Sequence, residues 1–582
     1  MSPHHLLAGL NPDQEAAVLA ASHCVVVACP GSGKTRVLQT RAAYLLGSDP
    51  EARVVAVTFT KDAARELRQR TLDSLSDDAA DRVAVATFHS LAKHQLEKAG
   101  MRLRLIDPAA QSALIERARD MAAPEMDNQN AAETIEKLKS TLQPNPLNDR
   151  EAGLYEMYTK LLNKHGMIDF ADLLLFAVRG LQDGSVPPLP CTHILVDEFQ
   201  DADDVQHLWI SAHIKAGAIA TVVGDDDQSL YSWRRARGYE GMSTFRDNNH
   251  ARLITLSINY RCRAEILDHA GHLIRQNPER IDKDMQAGAG PGAIIERYRF
   301  EDAKVEAAAV SETLAADPEG WAVIARTNSV IDHIQRELQS DQIDHRRIGG
   351  SDLWSAPPNR AYLALLDSVV TGRPLGAEQA LQWANIGAHT IDRLHESGLL
   401  AARRRRPPQP GEINDEKVET LVAALPRWRS QHANGRHGSV ATSVSEWVLG
   451  QISGASKRAQ RQRELFQMTA QSFIDMGGSL SQRMDYLSRR KKKMDASVPT
   501  LLTMHSSKGL EFDKVWIVRA EEGVVPHKNN HEMDEERRLF FVAMTRAKAR
   551  LVVSSAAPGE VSRFIDESRL HLINTESERF IA

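Results

Sequence analysis

The residues best placed for chemistry are the run Ala28-Cys29-Pro30-Gly31-Ser32-Gly33-Lys34-Thr35. It follows an apolar stretch that reads as a buried strand and precedes a helical pattern from Val37 to Leu46, the setting a phosphate-binding loop requires. Gly31 and Gly33 let the backbone curl so that N–H groups and the start of the helix face an anion. Lys34 would then hold the β- and γ-phosphates of a nucleotide and Thr35 would ligate Mg²⁺. Ser32 completes the loop. A second apolar run, Ile194-Leu195-Val196, ends in Asp197 and Glu198. The first acid can hold Mg²⁺, and the second can act as general base on the attacking water. Acids at a strand end are ordinary surface features, and a glycine-rich turn before a helix is common. Only the two together point to hydrolysis of a nucleoside triphosphate rather than binding alone.

These groups must be carried by strands and helices in a fixed order. Short runs rich in valine and isoleucine alternate with helical stretches, which predicts an α/β protein with parallel sheets covered on both faces. Strands are expected at Cys24–Ala28, Val54–Thr58, Val83–Thr87, His193–Val196, Ala220–Val223 and Arg252–Leu256. A second set is expected at Ala293–Tyr298, Ala322–Arg326, Thr500–Met504, Lys514–Val518 and Arg550–Ser554. Two mainly helical insertions interrupt the sets, about Leu91 to Lys164 and about Ala361 to Ser497. The expected division is a first core at 1–90 and 165–257 around an insertion at 91–164. A second core follows at 258–360 and 498–582, around an insertion at 361–497.

The bulk properties agree with such a chain. Its 582 residues suit about four units of roughly 150 residues each. No apolar run approaches the ~20 residues of a membrane span, and the N-terminus lacks the layout of a secretory signal. The four cysteines are scattered without metal-ligand spacing. A cytoplasmic protein with no membrane partner is expected, or a nuclear one if the host has a nucleus. The net charge of −5 argues against coating nucleic acid by overall charge. A local groove with a few basic and aromatic residues remains open, and that arrangement suits single strands.

A phosphate loop and a metal acid fit kinases, GTPases, transporters and motors alike. Further motifs narrow the choice. Leu10-Asn11-Pro12-Asp13-Gln14 precedes the loop. Thr58-Phe59-Thr60, Thr87-Phe88-His89-Ser90, Asp197-Glu198-Phe199-Gln200-Asp201 and Val223-Gly224-Asp225-Asp226-Asp227-Gln228-Ser229-Leu230-Tyr231-Ser232-Trp233-Arg234 follow. Asn259-Tyr260-Arg261, Val323 to Asn328, Ile348-Gly349-Gly350, Thr503 to Glu511 and Glu536 to Ala547 continue the series. In order and content, from Leu10 to about Ser554, this array resembles superfamily 1 DNA helicases of the UvrD/Rep/PcrA group.

The resemblance implies two tandem RecA-like cores, each with a mainly helical insertion domain, that use ATP and Mg²⁺. It implies that Gln14 reads the adenine, that Arg36 and Tyr260 sandwich it, and that Glu511 touches the ribose. Gln228, ending an apolar strand beside the metal acids, is placed to sense the γ-phosphate. Arg261 and Arg546 would act as arginine fingers reaching across a cleft; a surface ion pair is the alternative for either. Phe59, His89, Tyr231, Trp233 and Arg234, with Arg326 and His505, are candidates for the single strand, because aromatic rings stack on any base. Core packing is the alternative for Tyr231 and Trp233.

The implied activity is ATP-dependent 3′-to-5′ translocation on single-stranded DNA with unwinding of duplex, in repair, recombination or replication restart. A translocase that displaces bound proteins with little unwinding, and a nucleotide-gated DNA-binding subunit, are the rival readings. The expected partners are single-stranded DNA, single-strand/duplex junctions and unidentified repair or replication proteins, with the oligomeric state open. Three departures stand out: Cys29 where glycine is usual, Lys61-Asp62 in place of a frequent Asn-Lys pair, and Arg235 in place of glycine. The second insertion looks shorter than in large relatives and carries two basic runs, Arg403–Arg406 and Arg489–Lys493, either a solvated face or a duplex contact.

Overall fold

The computed structural model describes residues 3–75, 77–230, 236–349, 354, 356–401, 413, 415–454, 457–490, 498–530 and 532–570. Tyr231, Trp233, Arg234, Arg235, the run Arg403–Arg406 and Lys491–Lys493 lie outside the described residues. The chain divides into two compact units. One comprises Met1–Ala293, Asn530–Thr545 and Glu567–Arg569, and the other Ile294–Asn529, Arg546–Asp566 and Leu570–Ala582.

The first unit is built on β1 (Cys24–Ala28), β2 (Val54–Thr58), β3 (Val83–Thr87), β4 (His193–Val196), β5 (Ile219–Gly224) and β6 (Arg252–Leu256). They form one sheet in the order β3-β2-β4-β5-β1-β6, with every pairing parallel. Successive side chains on a strand point to opposite faces. Val25, Val27, Val55, Val57, Ile194 and Val196 therefore enter one core, and Cys24, Val26, Val54, Ala56 and Leu195 the other. Burial on both faces explains why these strands read as continuous apolar runs rather than alternating ones. A two-residue pair, β7 (Ile258–Asn259) with β8 (Gln286–Ala287), follows the sheet and was not expected.

The insertion of this unit is helical, as expected, with helices Pro108–Ala122, Asn128–Lys139 and Asp149–Lys164 around their own apolar core. Lys139 ties it to the helix Phe170–Asp183. Its Nζ lies 2.7 Å from Asp169 Oδ2 and 2.7 Å from Asp172 Oδ1, and the Tyr158 hydroxyl donates to Asp169 at 2.9 Å.

The second unit repeats the plan. Strands β9 (Ile294–Phe300), β10 (Trp321–Ala325), β11 (Arg346–Ile348), β12 (Thr500–Thr503), β13 (Phe512–Ile517) and β14 (Ala547–Ala556) form a parallel sheet ordered β11-β12-β10-β13-β14-β9. Its insertion is a helical domain running from Pro357–Thr371 to Leu480–Arg490 around a separate core that contains Tyr362, Trp428 and Phe473. The fold is thus two RecA-like parallel-sheet cores in tandem, each with a mainly helical insertion. Among the described residues no helix is long and apolar enough to cross a membrane.

Candidate nucleotide site and strand face

The phosphate loop leaves the C-terminal end of β1, between β5 and β6, where open α/β sheets collect ligands. Gly31 (φ +64°) and Gly33 (φ +82°) occupy the left-handed region, and Ser32 folds back on Cys29, its Oγ donating to the Cys29 carbonyl at 2.8 Å. Gly31 is needed for space as well as for dihedrals. A Cβ there would come within 2.6 Å of Arg261 Cβ. The helix Lys34–Ser48 opens directly after Gly33 with no side-chain cap. Its first N–H groups therefore gain no side-chain acceptor and suit an anion.

Gln14 is 2 % exposed. Its Oε1 accepts from the Asn11 N–H at 3.1 Å within a capping box, and its Nε2 donates to the Ser32 carbonyl at 2.9 Å. The amide thus fixes the loop from the side, and one hydrogen and one lone pair remain beyond those two bonds. Arg36 lies nearby, with Nη2 3.5 Å from the Ala8 carbonyl.

Asp197 and Glu198 follow β4. Glu198 holds φ +49°, costly for a non-glycine residue and found where a site over-determines its geometry. Its Oε1 lies 3.5 Å from Lys34 Nζ, and Oε2 accepts from Gln200 Nε2. Burial and then the neighbouring Glu198 push the Asp197 carboxyl up to about 7 against the pull of Lys34. Two acids opposite one lysine leave excess negative charge in a buried place, which fits a divalent cation held by Asp197 with the hydroxyl of Thr35.

The chain of bonds continues to the next strand. Gln200, wholly buried, accepts from the Asp225 N–H at 2.9 Å, and Gln228 Nε2 donates to Asp225 Oδ2. Gly224 has no room for a Cβ, which would meet Gln200 Oε1 at 2.6 Å.

The segment Asn259–Cys262 is fastened to the phosphate loop. Asn259, wholly buried, donates from Nδ2 to the Pro30 carbonyl at 2.6 Å, and its Oδ1 accepts from the N–H groups of Arg261 and Cys262 at 2.9 and 2.7 Å. The Tyr260 N–H donates to the Gly31 carbonyl at 3.0 Å, and its hydroxyl accepts from Asn11 Nδ2 at 2.9 Å while half of the residue stays exposed. Arg261 therefore stands beside the loop within the first unit, and closure of a cleft is not needed to bring its backbone there. Arg546 directly precedes β14 in the second unit. It is 1 % exposed, with Nη1 donating to the Leu510 carbonyl at 3.0 Å. In that unit Arg326 follows β10, His505 lies in the turn after β12, and Glu511 pairs with Lys548 at 3.1 Å.

Aromatic groups cluster at the ends of β2 and β3. Phe59 meets Phe88 edge-on at 5.5 Å between centroids. His89 stacks on Phe170 at 4.2 Å with 18° between the rings. Burial pulls the His89 imidazole down to about 4, against Asp169, so the ring is neutral. Phe170 itself is 54 % exposed. It was missed in the sequence because it opens an amphipathic helix, yet a large aromatic at the first helical position, outside the apolar stripe, was the available signal. Beside these rings a pocket of about 250 Å³ is lined by Lys61, Arg65, Arg68, Thr87 and Ser90. The acid at Asp62 is offset by Arg65 at 3.3 Å. Cys29 is buried with its thiol 3.4 Å from the Ser257 carbonyl, and burial pushes it up to about 12, so it adds no reactivity.

Comparison with known proteins agrees with this layout. Residues 10–248 match the UvrD/REP helicase N-terminal domain, and residues 254–398 and 416–557 match the UvrD-like helicase C-terminal domain. The chain is 29% identical to ATP-dependent DNA helicase Rep of Escherichia coli, over 93% of this chain and 90% of that protein. It is 29% identical to DNA helicase II of Haemophilus influenzae (100% and 88%), and 26% identical to ATP-dependent DNA helicase PcrA of Bacillus subtilis (95% and 83%). With tandem RecA-like cores, a phosphate loop braced by Gln14 and Asn259, and both family domains matched over most of its length, the chain belongs to the UvrD/Rep family of helicases.

Proposed function

We propose that the protein is an ATP-dependent DNA helicase that moves 3′ to 5′ along single-stranded DNA and separates duplex ahead of it, in DNA repair, recombination or replication restart. The observation that carries this reading is the fastening of Asn259–Arg261 to a phosphate loop whose Lys34 faces Glu198, in a chain of a helicase family. Lys34 and the helix start at Gly33 hold the phosphates, with Gly31 and Ser32 shaping the loop. Thr35 and Asp197 would hold Mg²⁺, which would supply charge neutralisation to the phosphates. Glu198 takes the proton from the attacking water, and Gln228 reports the state of the γ-phosphate. Arg261 and Arg546 stabilise the charge that develops in transfer. Tyr260 and Arg36 flank the base, with Gln14 and Glu511 at its edge and the ribose.

The strand runs over Phe59, His89 and Phe170, then Tyr231, Trp233 and Arg234, and over Arg326 and His505 in the second unit. Stacking on rings is indifferent to sequence, as a track requires. Phe170→Ala is expected to weaken binding of a fluorescent oligothymidylate by about 1–3 kcal/mol. It should leave thermal stability near wild type, because the ring is mostly solvent-facing. Unchanged affinity would remove Phe170 from the track.

Direction is tested on duplexes with a single 3′ or 5′ tail. Strand separation with ATP should occur on the 3′-tailed substrate, and separation on the 5′-tailed one alone would refute the polarity. If neither duplex is opened while streptavidin is removed from a biotinylated strand, the protein-displacing translocase is the correct reading. Slow hydrolysis that ignores DNA would instead point to a nucleotide-gated binding subunit.

A further inference from the structure

Lys283 is a buried charge that the hydrolytic scheme above leaves unused. Its side chain is 0 % exposed, and its Nζ lies 2.7 Å from Asp225 Oδ1, 2.6 Å from Asp226 Oδ1 and 2.8 Å from Asp227 Oδ2. An ammonium has three hydrogens to donate; it hydrogen-bonds to Asp225 and Asp226 and makes an ion pair with Asp227. Among the described residues these three acids are also the group closest to a metal-binding arrangement, but the ammonium takes the place of the cation.

The remaining oxygens are used as well. Asp227 accepts Arg280 through Nε and Nη2 at 3.0 and 2.8 Å, Asp226 Oδ2 accepts the Ile281 N–H at 2.6 Å, and Asp225 Oδ2 accepts Gln228 Nε2. Three carboxylates against one lysine and one arginine leave the cluster a charge short of balance. Isolated buried charges are costly, so such a cluster persists only as a whole.

Its connections set it apart from ordinary core electrostatics. One side is the loop of the sensor Gln228. That loop is joined to Glu198 through Gln200. The other side is the segment from Arg280 to Gly288. Here the Gln286 N–H donates to the Ser257 carbonyl and the Gly288 N–H to the Asn259 carbonyl, at 2.9 and 2.7 Å. That carries it onto the backbone that holds Tyr260 and Arg261.

We infer that Lys283 is a positioning residue: it locks the Asp225–Gln228 loop to the Tyr260–Arg261 segment, and so holds Gln228 and Arg261 in register for strand-stimulated hydrolysis. The inference rests on the proposed reading of the protein as a strand-stimulated ATPase.

The test compares wild type with Lys283→Met, and with Lys283→Met combined with Asp226→Asn, which removes the surplus carboxylate should the single variant not fold. Steady-state ATP hydrolysis is measured with saturating oligothymidylate, and folding is checked by thermal melting. In a folded variant the strand-stimulated kcat should fall between about 10- and 100-fold, the scale of a small misplacement of reacting groups. The KM for ATP should stay within about threefold, since the phosphate loop is not touched. A kcat within about threefold of wild type in both variants overturns the inference. So does a KM that rises as far as kcat falls, which would mean general damage to the pocket. A wild-type protein whose hydrolysis ignores the oligonucleotide would refute the motor reading itself, and the inference would fall with it.

Discussion

Replacing Lys34 by alanine should end strand-stimulated ATP hydrolysis, with a loss of roughly 10³-fold or more in kcat, since donors aimed at developing charge contribute on that scale. Two effects add. The phosphates lose their cation, and Asp197 and Glu198 lose the charge that offsets them. Lys34 Nζ is 3.5 Å from Glu198, and Asp197 already lies far above the usual carboxylate range through burial and its neighbour. Without the lysine Asp197 loses the positive charge that opposes this rise and is driven further toward the protonated form, which weakens it as a metal ligand. Phosphate release in the presence of oligothymidylate measures the effect. Turnover within tenfold of wild type would show that the phosphates lie elsewhere.

Arg261→Ala carries the next largest expected loss, roughly 10³–10⁵ in kcat for an arginine that stabilises the transferring phosphoryl group. The substitution is clean in this fold. Alanine keeps the Cβ that packs over Gly31, and the backbone stays fastened through Asn259 to Pro30. Nucleotide-analogue binding and the melting temperature should therefore change little while single-turnover hydrolysis collapses. A variant that hydrolyses ATP at more than a tenth of the wild-type rate would assign the charge-stabilising role to another group.

Much of this was legible before any coordinates, for reasons specific to the elements. Buried parallel strands announce themselves as apolar runs, so β1, β2, β3, β4 and β6 fall where they were expected to the residue. Glycines forced into the left-handed region mark the phosphate loop. What stayed hidden depends on contacts between distant parts of the chain. Lys283 sits in Arg280-Ile281-Asp282-Lys283-Asp284, which reads as solvated surface. Its burial comes from aspartates more than fifty positions earlier. The pair β7–β8 is too short for any periodicity. Asn259 stands in the motif beside Tyr260 and Arg261 with no role of its own legible in the sequence, and only the carbonyl of Pro30 shows that it is a fastener.

The helix Met533–Met544 belongs to the first unit although five of the six strands of the second sheet, β9 to β13, are encoded before it. Within that unit Asn277 donates to the Asp534 carbonyl, Arg538 to the Ser229 carbonyl, and Arg537 pairs with Glu567. During synthesis at about 5–20 residues per second, the ribosome needs on the order of tens of seconds after Ala293 to deliver these partners. Throughout that interval the carbonyl of Ser229 lacks the guanidinium of Arg538. The nascent amino-terminal portion is thus a species in waiting, open to chaperones and proteases, and its maturation is timed by translation of the segment Asn530–Thr545.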